Sequence, residues 1–289
     1  MLEELNTRFG NLVHFAEAPG GVVCAEVKNE SGSATIALFG AQIIDWTPNG
    51  EKPVIWLSEE AFPFKGKSLR GGAPVCWPWF GAHSDPSLPA HGFARNAAWE
   101  AVSAAIASDG RTSFVLRLAM AREGWPLSLE MRILVGKTLD VDLLTKNEGE
   151  NPVAVSQALH TYFAVGDIEN TRVSGLDGFE YLDKVDGFSR KTQEGDVTFS
   201  GEVDRVYLGT KSDAVIEDPV LGRRIVISKT GSSSTVVWNP WSGKAEKMGD
   251  LGKDGWKRML CVENANAAED TRTLAPGETH VLGVRYRVE

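Results

Sequence analysis

Apolar and polar positions alternate with a period of two along much of the chain. Phe114, Leu116, Leu118 and Met120 fall on one side of such a stretch, with Val115, Arg117 and Ala119 on the other. Leu127, Leu129, Met131 and Ile133 share one face, and Leu139, Val141 and Leu143 repeat the pattern a few residues on. The chain closes in the same way, with Leu282, Val284, Tyr286 and Val288 set against Gly283, Arg285 and Arg287. Side chains along a strand point alternately to its two faces, so this pattern predicts half-buried antiparallel strands. Gly136 and Lys137, between two of them, predict a hairpin turn. Further strands are expected over 22–27, 34–39, 153–159, 224–228 and 235–238. Helix is expected only as short pieces, over 59–62 and 253–257 and at 6–9.

One segment breaks the alternation. Residues 70–96, RGGAPVCWPWFGAHSDPSLPAHGFARN, hold two arginines, two histidines, two tryptophans, four prolines and four glycines. Prolines remove backbone donors and glycines admit positive φ, which predicts an irregular, stiffened loop. Long loops rich in aromatic and cationic side chains are often functional; an Ω-loop whose aromatics plug the edge of a core is the alternative. No linker, composition break or fixed-period repeat divides the chain. The expectation is one domain over 1–289, an all-β antiparallel sandwich with long loops.

Composition narrows the function. The chain has 289 residues and a net charge of −9, which argues against general nucleic-acid or anionic-membrane binding. A few local cations would still hold a phosphorylated small molecule. Cys24, Cys76 and Cys261 are odd in number, far apart and set among apolar neighbours, as expected of reduced, buried thiols in a cytoplasmic protein. The N-terminal residues lack the apolar stretch of a signal peptide, and no run approaches a membrane span.

Candidate chemistry is scattered. His160, in SQALHTYF at the end of the 153–159 strand, reads either as a pocket-facing acid/base group or as a packed structural histidine. His91 sits on rigid backbone between Pro89 and Gly92, whereas His14 and His280 read as surface or structural. Alternation puts Glu263 and Cys261 on one face of a strand, opposite Leu260 and Val262, and a carboxylate placed there can have its pKa raised. Asp204 in GEVDRVYLG can orient a ligand or pair with Arg205. There is no CxxC, HExxH, GxSxG or GxGxxG motif, so metal, triad-hydrolase and dinucleotide chemistry lack support. What remains is a pocket of His, Glu, Asp, Arg and Trp, a set suited to sugars.

Taken together, SLRGGAPVCWPWFG at 68–81, LPAHGFARN at 88–96, ALHTYF at 158–163, VDRVY at 203–207, VVWNPW at 236–241 and CVEN at 261–264 carry a resemblance. The chain resembles the aldose 1-epimerase, or galactose mutarotase-like, β-sandwich enzymes, and within them the hexose-6-phosphate epimerases. The resemblance implies a galactose mutarotase-like supersandwich. It implies His160 and Glu263 as the catalytic pair, and Asp204 and His91 as sugar contacts. Arg70 and Arg95, with help from Lys65 and Lys67, become candidate phosphate ligands. The implied reaction is exchange of α and β anomers of an aldohexose 6-phosphate, with no cofactor or metal, by a cytoplasmic monomer whose partner is a small phosphosugar. Glu263, with a low-to-moderate pKa, would act as base and His160, with one near neutrality, as acid. The alternatives are a mutarotase for unphosphorylated aldoses and a non-catalytic carbohydrate-binding or sugar-sensing domain.

Overall fold

Alternation of apolar and polar residues is realised as layered antiparallel sheets in the computed structural model, which describes residues 1–119 and 124–289. Met120, expected on the inward face of its strand, lies outside the described residues. Two large sheets dominate. The first runs in the order Ser189–Thr192, Glu180–Asp183, Val203–Leu208, Ser234–Asn239, Met259–Asn266, Gln157–Leu159, Val75–Cys76. Tyr162–Ala164 also pairs with Met259–Asn266 in this sheet. The second sheet runs from Val197–Thr198 through Arg172–Ser174, Ala214–Asp218, Arg223–Thr230, Thr279–Val288, Thr138–Asn147, Leu127–Val135 and Thr112–Leu118 to Trp99–Ile106. A smaller sheet, His14–Ala18 to Gln42–Pro48, adds to the same core.

The inward faces meet in one apolar cluster. It joins Leu159, Phe163, Leu260 and Val262 of the first sheet to Leu282, Val284, Tyr286 and Met131 of the second. Strands 127–135 and 138–147 meet at the expected hairpin, with Val135 paired to Leu139 across Gly136 and Lys137. Leu127, Leu129, Met131 and Ile133 are buried while their intervening residues are not, as alternation requires. All three cysteines are free and buried. Among the described residues, no helix is long and apolar enough to cross a membrane.

Four local expectations change. The 153–159 stretch is two strands, because Val153–Val155 pairs with Arg272–Leu274 while Gln157–Leu159 joins the first large sheet. Ser156, at the break, donates its N–H to Pro78 O and accepts from Phe80 N through Oγ, so it serves the loop instead of a ladder. Residues 59–61 form only a single turn, closed by Ala61 N–H donating to Ser58 O, and Pro63 has no N–H to carry a helix on past Phe62. Helix does form over Trp241–Met248, where the pattern gave none, and the 253–257 piece is a 3₁₀ turn at Gly255–Arg258.

The 70–96 loop is irregular apart from the short Val75–Cys76 strand and a 3₁₀ turn at Ala94–Asn96. Its glycines permit close backbone approach. Gly92 has φ 69°, and a Cβ there would stand 1.9 Å from Trp77 O. Trp77 is fully buried and donates Nε1–H to Thr145 Oγ1, which fastens the loop to the opposite sheet.

Candidate active site

Strand register brings His160 and Glu263 together. Leu159 pairs with Asn264, and Tyr162 pairs with Cys261. The two residues between them, 160 and 161, therefore face 263 and 262. Alternation runs through the gap: Leu159 and Phe163 enter the core, while His160 and Tyr162 turn to the outer face beside Glu263 and Cys261. His160 Nε2 lies 3.3 Å from Glu263 Oε1. The loop holds the histidine's backbone, because His160 N–H donates to Pro74 O and Tyr162 N–H to Gly72 O. Tyr162 stacks against the imidazole at 5.1 Å and 19°, and Trp238 meets it edge-on at 5.7 Å.

This pair floors a pocket of about 430 Å³, within the range of a small-ligand site. Its wall carries five cations, Lys67, Arg70, Arg95, Lys184 and Lys244, against three acids, Asp204, Asp250 and Glu263. Arg70 is largely engaged: Nε and Nη2 fork onto Asp250 at 2.9 and 3.0 Å, and Nη1 donates to Tyr162 Oη. Those bonds use three of a guanidinium's five N–H groups and leave two for a ligand. Lys184 pairs with Asp204 at 2.9 Å, and Lys244 with Glu202. Among the described residues Lys67 and Arg95 have no carboxylate partner; Arg95 donates Nη2–H to Ala90 O. A chain that is acidic overall thus presents surplus positive charge at this one opening.

Burial governs the titration of the floor. Desolvation drives the Glu263 carboxyl well above its usual range, with the Lys184 ammonium opposing and Asp204 adding to it. Desolvation pushes His160 well below its usual value, helped by His91 and Arg95. His91 falls to about 3 through burial, then Arg95 and Lys184. Its Nδ1 accepts the Gly81 N–H, so the neutral ring carries its proton on Nε2 and is a donor there. Glu263 Oε2 and His160 Nδ1 are buried with no protein partner. His160, Cys261 and Glu263 also place one nitrogen, one sulfur and one oxygen within 4.8 Å of one another. Burial raises the Cys261 thiol well above its ordinary value, with the nearby Glu263 adding to the shift.

The aldose 1-epimerase family profile matches residues 24–287. The chain belongs to that family. This aldose 1-epimerase family member is 41% identical over 255 residues to an Escherichia coli K12 protein named "Putative glucose-6-phosphate 1-epimerase", covering 86% of this chain and 84% of that one. It is 37% identical over 294 residues to a Cenchrus ciliaris protein of the same name, covering 95% and 86%. Its fold superposes on the crystal structure of a Salmonella typhimurium protein described as a "putative mutarotase (YeaD)", with TM-score 0.88, 35% identity and coverage of 96% and 93%. The aldose 1-epimerase family member is accordingly an isomerase of the epimerase/mutarotase class with a sugar substrate.

Of the residues singled out in the sequence, His160, Glu263, Arg70, His91, Arg95, Asp204 and Lys67 all line this one pocket. Lys65 does not. Asp204 pairs with Lys184, whereas Arg205 turns to Gln193 and Tyr207 on the other side of the sheet. Burial raises Glu263, as its place on the strand allowed, beyond the low-to-moderate value the resemblance implied, and it takes His160 below the near-neutral value expected of it. Sequence reasoning missed Lys184, Tyr162, Trp238, Lys244 and Asp250. Lys184 rides a 3₁₀ turn that Asp183 starts by accepting the Val185 N–H, and Asp-Lys-Val-Asp-Gly reads along the chain as an ordinary polar turn. Lys244 rides the 241–248 helix, whose start is set by Asn239 Oδ1 accepting the Trp241 N–H. The Asn-Pro before it and Gly249 after it are helix-boundary signals that were available.

Proposed function

We propose that the protein interconverts the α and β anomers of an aldohexose 6-phosphate. The observation that carries this reading is the placement of a buried His160–Glu263 pair beneath cations that lack carboxylate partners. A neutral imidazole with a neutral carboxyl holds the same number of protons as imidazolium with carboxylate. Moving one proton across the 3.3 Å contact converts the first into the second. Sugar hydroxyls donating to the unpartnered Glu263 Oε2 favour the carboxylate. Glu263 then takes the proton of the C1 hydroxyl, and His160 gives its proton to the ring oxygen. The C1–O5 electrons remain on O5 as the C1 carbonyl forms. Rotation about C1–C2 and reclosure with the proton roles exchanged yield the other anomer, and the pair ends with the protons it began with.

Asp204 and His91 are positioned for sugar hydroxyls, and Trp238 offers an apolar face to the ring. Arg95, Lys67 and the two remaining Arg70 N–H groups form the candidate phosphate seat. The names of the E. coli and Cenchrus relatives support a 6-phosphate substrate. Each charge-assisted bond contributes about 1.5–3 kcal/mol, so two of them favour the phosphosugar by roughly 100-fold or more. Anomer exchange followed by NMR on paired free and 6-phosphorylated hexoses tests this. Equal kcat/KM for both forms would leave a mutarotase for free aldoses, and no exchange with either would leave a binding domain.

A further inference from the structure

The residue that follows each member of the pair points into the sandwich, and both reach the same strand of the opposite sheet. Thr161 Oγ1 lies 2.7 Å from Tyr286 Oη, with both side chains fully buried. Asn264 Nδ2 donates to Gly283 O at 2.8 Å. Tyr286 and Gly283 belong to Thr279–Val288, the strand that also sets His280 Nε2 2.9 Å from Asn266 Oδ1. Asn266 Oδ1 in turn accepts from Gln157 Nε2, so the strands on either side of the pair are tied to each other as well. The rail is closely fitted. A Cβ at Gly283 would come within 2.5 Å of Thr230 Oγ1 and 2.6 Å of Asp142 Oδ1.

Apolar contact between sheets is non-directional and tolerates small slides, whereas hydrogen bonds fix distance and angle. Thr161 is one residue from His160, and Asn264 one residue from Glu263. We propose that Tyr286, acting through Thr161, is a positioning residue: the Thr279–Val288 strand sets the His160–Glu263 separation from behind the sheet. The proposal rests on the anomer-exchange reading above. Tyr286 touches no substrate and lies on the far side of the sheet from the pocket, among the apolar residues of the core. Displacements on the order of 1 Å at a catalytic group reduce rates strongly, so loss of one buried hydroxyl is expected to be visible in turnover.

The experiment measures wild type first, by NMR anomer exchange on a hexose 6-phosphate and on the free hexose, then Tyr286→Phe, Thr161→Val, Thr161→Ser and the Tyr286→Phe/Thr161→Val double variant. Tyr286→Phe keeps the ring that packs edge-on against Phe163 at 5.1 Å. The expected result is a kcat lowered roughly tenfold or more at unchanged KM for Tyr286→Phe and for Thr161→Val. The double variant should be no worse than either single one, and Thr161→Ser, which keeps a hydroxyl, should restore most of the rate. The imidazole signals of His160 give a readout without turnover, and they should shift or broaden in Tyr286→Phe and Thr161→Val but not in Thr161→Ser. If Tyr286→Phe fails to fold, Thr161→Val, with the phenol in place, carries the same comparison. Unchanged kcat with unchanged imidazole signals, or losses that simply multiply in the double variant, overturns the positioning role. A wild type inactive on both sugars overturns the anomer-exchange reading instead, and the His160 signals still decide whether the strand positions the pair.

Discussion

Replacing Arg95 by glutamine separates phosphate recognition from chemistry. The guanidinium lies on the pocket wall, half-buried, with one N–H spent on Ala90 O and no carboxylate partner among the described residues. A bound phosphate would gain a charge-assisted bond worth about 1.5–3 kcal/mol, and partial exposure favours the lower half of that range. At 1.4 kcal/mol per factor of ten, KM for a hexose 6-phosphate should rise about 10- to 50-fold. Lys67 and Arg70 remain, so binding weakens without being lost. KM for the free hexose should stay within about twofold, because nothing anionic is then being held. The kcat should stay near wild type for both sugars, since His160 and Glu263 are untouched. Losing the bond to Ala90 O lowers stability by about 1 kcal/mol, which a melting curve reads separately. The assay is the initial rate of anomer exchange from a freshly dissolved α anomer, at two ionic strengths. Added salt should narrow the gap between wild type and variant, because a partly exposed charge is screened over about 8–10 Å. Equal KM changes for free and phosphorylated sugar, or none for either, would refute Arg95 as a phosphate ligand.

Glu263→Gln and His160→Asn should each lower kcat by about 10²–10⁴ with circular dichroism unchanged, and the double variant should be little worse than one change, because the two act as a unit. Burial lowers His160 and raises Glu263, so the pair keeps one proton through the neutral range. The kcat/KM should therefore be level there, falling on the acid side only as pH drops through the lowered histidine value and on the alkaline side as it rises through the raised carboxyl value; a midpoint at the ordinary histidine value of about 6.5 would contradict this. Gly92→Ala combines a positive φ with a Cβ 1.9 Å from Trp77 O, and should cost about 2 kcal/mol or more and lower Tm by roughly 5 °C; an unchanged Tm would mean the loop yields freely. Lys229, which donates to Thr210 Oγ1, Thr235 Oγ1 and Ser234 O, is pushed down to about 7 by burial. Between that value and an unfolded value of about 10.4 the unfolded chain binds more protons, so stability should rise with pH by up to about 1.4 kcal/mol per unit relative to Lys229→Met. A denaturant series with equal slopes in the two proteins would exclude it.

How much of this was legible in the sequence depends on the range over which each feature is decided. Alternation is local, and the strands at 127–135, 138–147 and 279–288 follow from it directly. Pairing is not local. That Val75–Cys76 lies beside Gln157–Leu159, and that strand beside Met259–Asn266, depends on register across about a hundred residues at each step. The His160–Glu263 contact inherits that distance, so its geometry could be expected only through resemblance. Arg70 shows the same limit, since the carboxylate that occupies its fork is Asp250, 180 residues on.

Glu263 shows where local reading stops short of the chemistry. Its place on the strand beside Asn264 and Asn266 allows a raised pKa, but the sequence does not say which neighbours share its face. In the strand, alternation sends both asparagines to the other face, where they bind Gly283 O, Gly231 O and the Asp270 carboxylate. On its own face Glu263 has Cys261 two residues away and Val236 opposite across the ladder, with every residue of the strand buried. Its chain neighbours therefore lend it no hydrogen bonds, and desolvation sets its pKa. The same alternation that denies Glu263 those amides is what gives the opposite sheet its hold on the strand. Acid/base poise and positional control are thus two consequences of one period-two pattern, and a change at Asn264 should disturb the second without supplying the first.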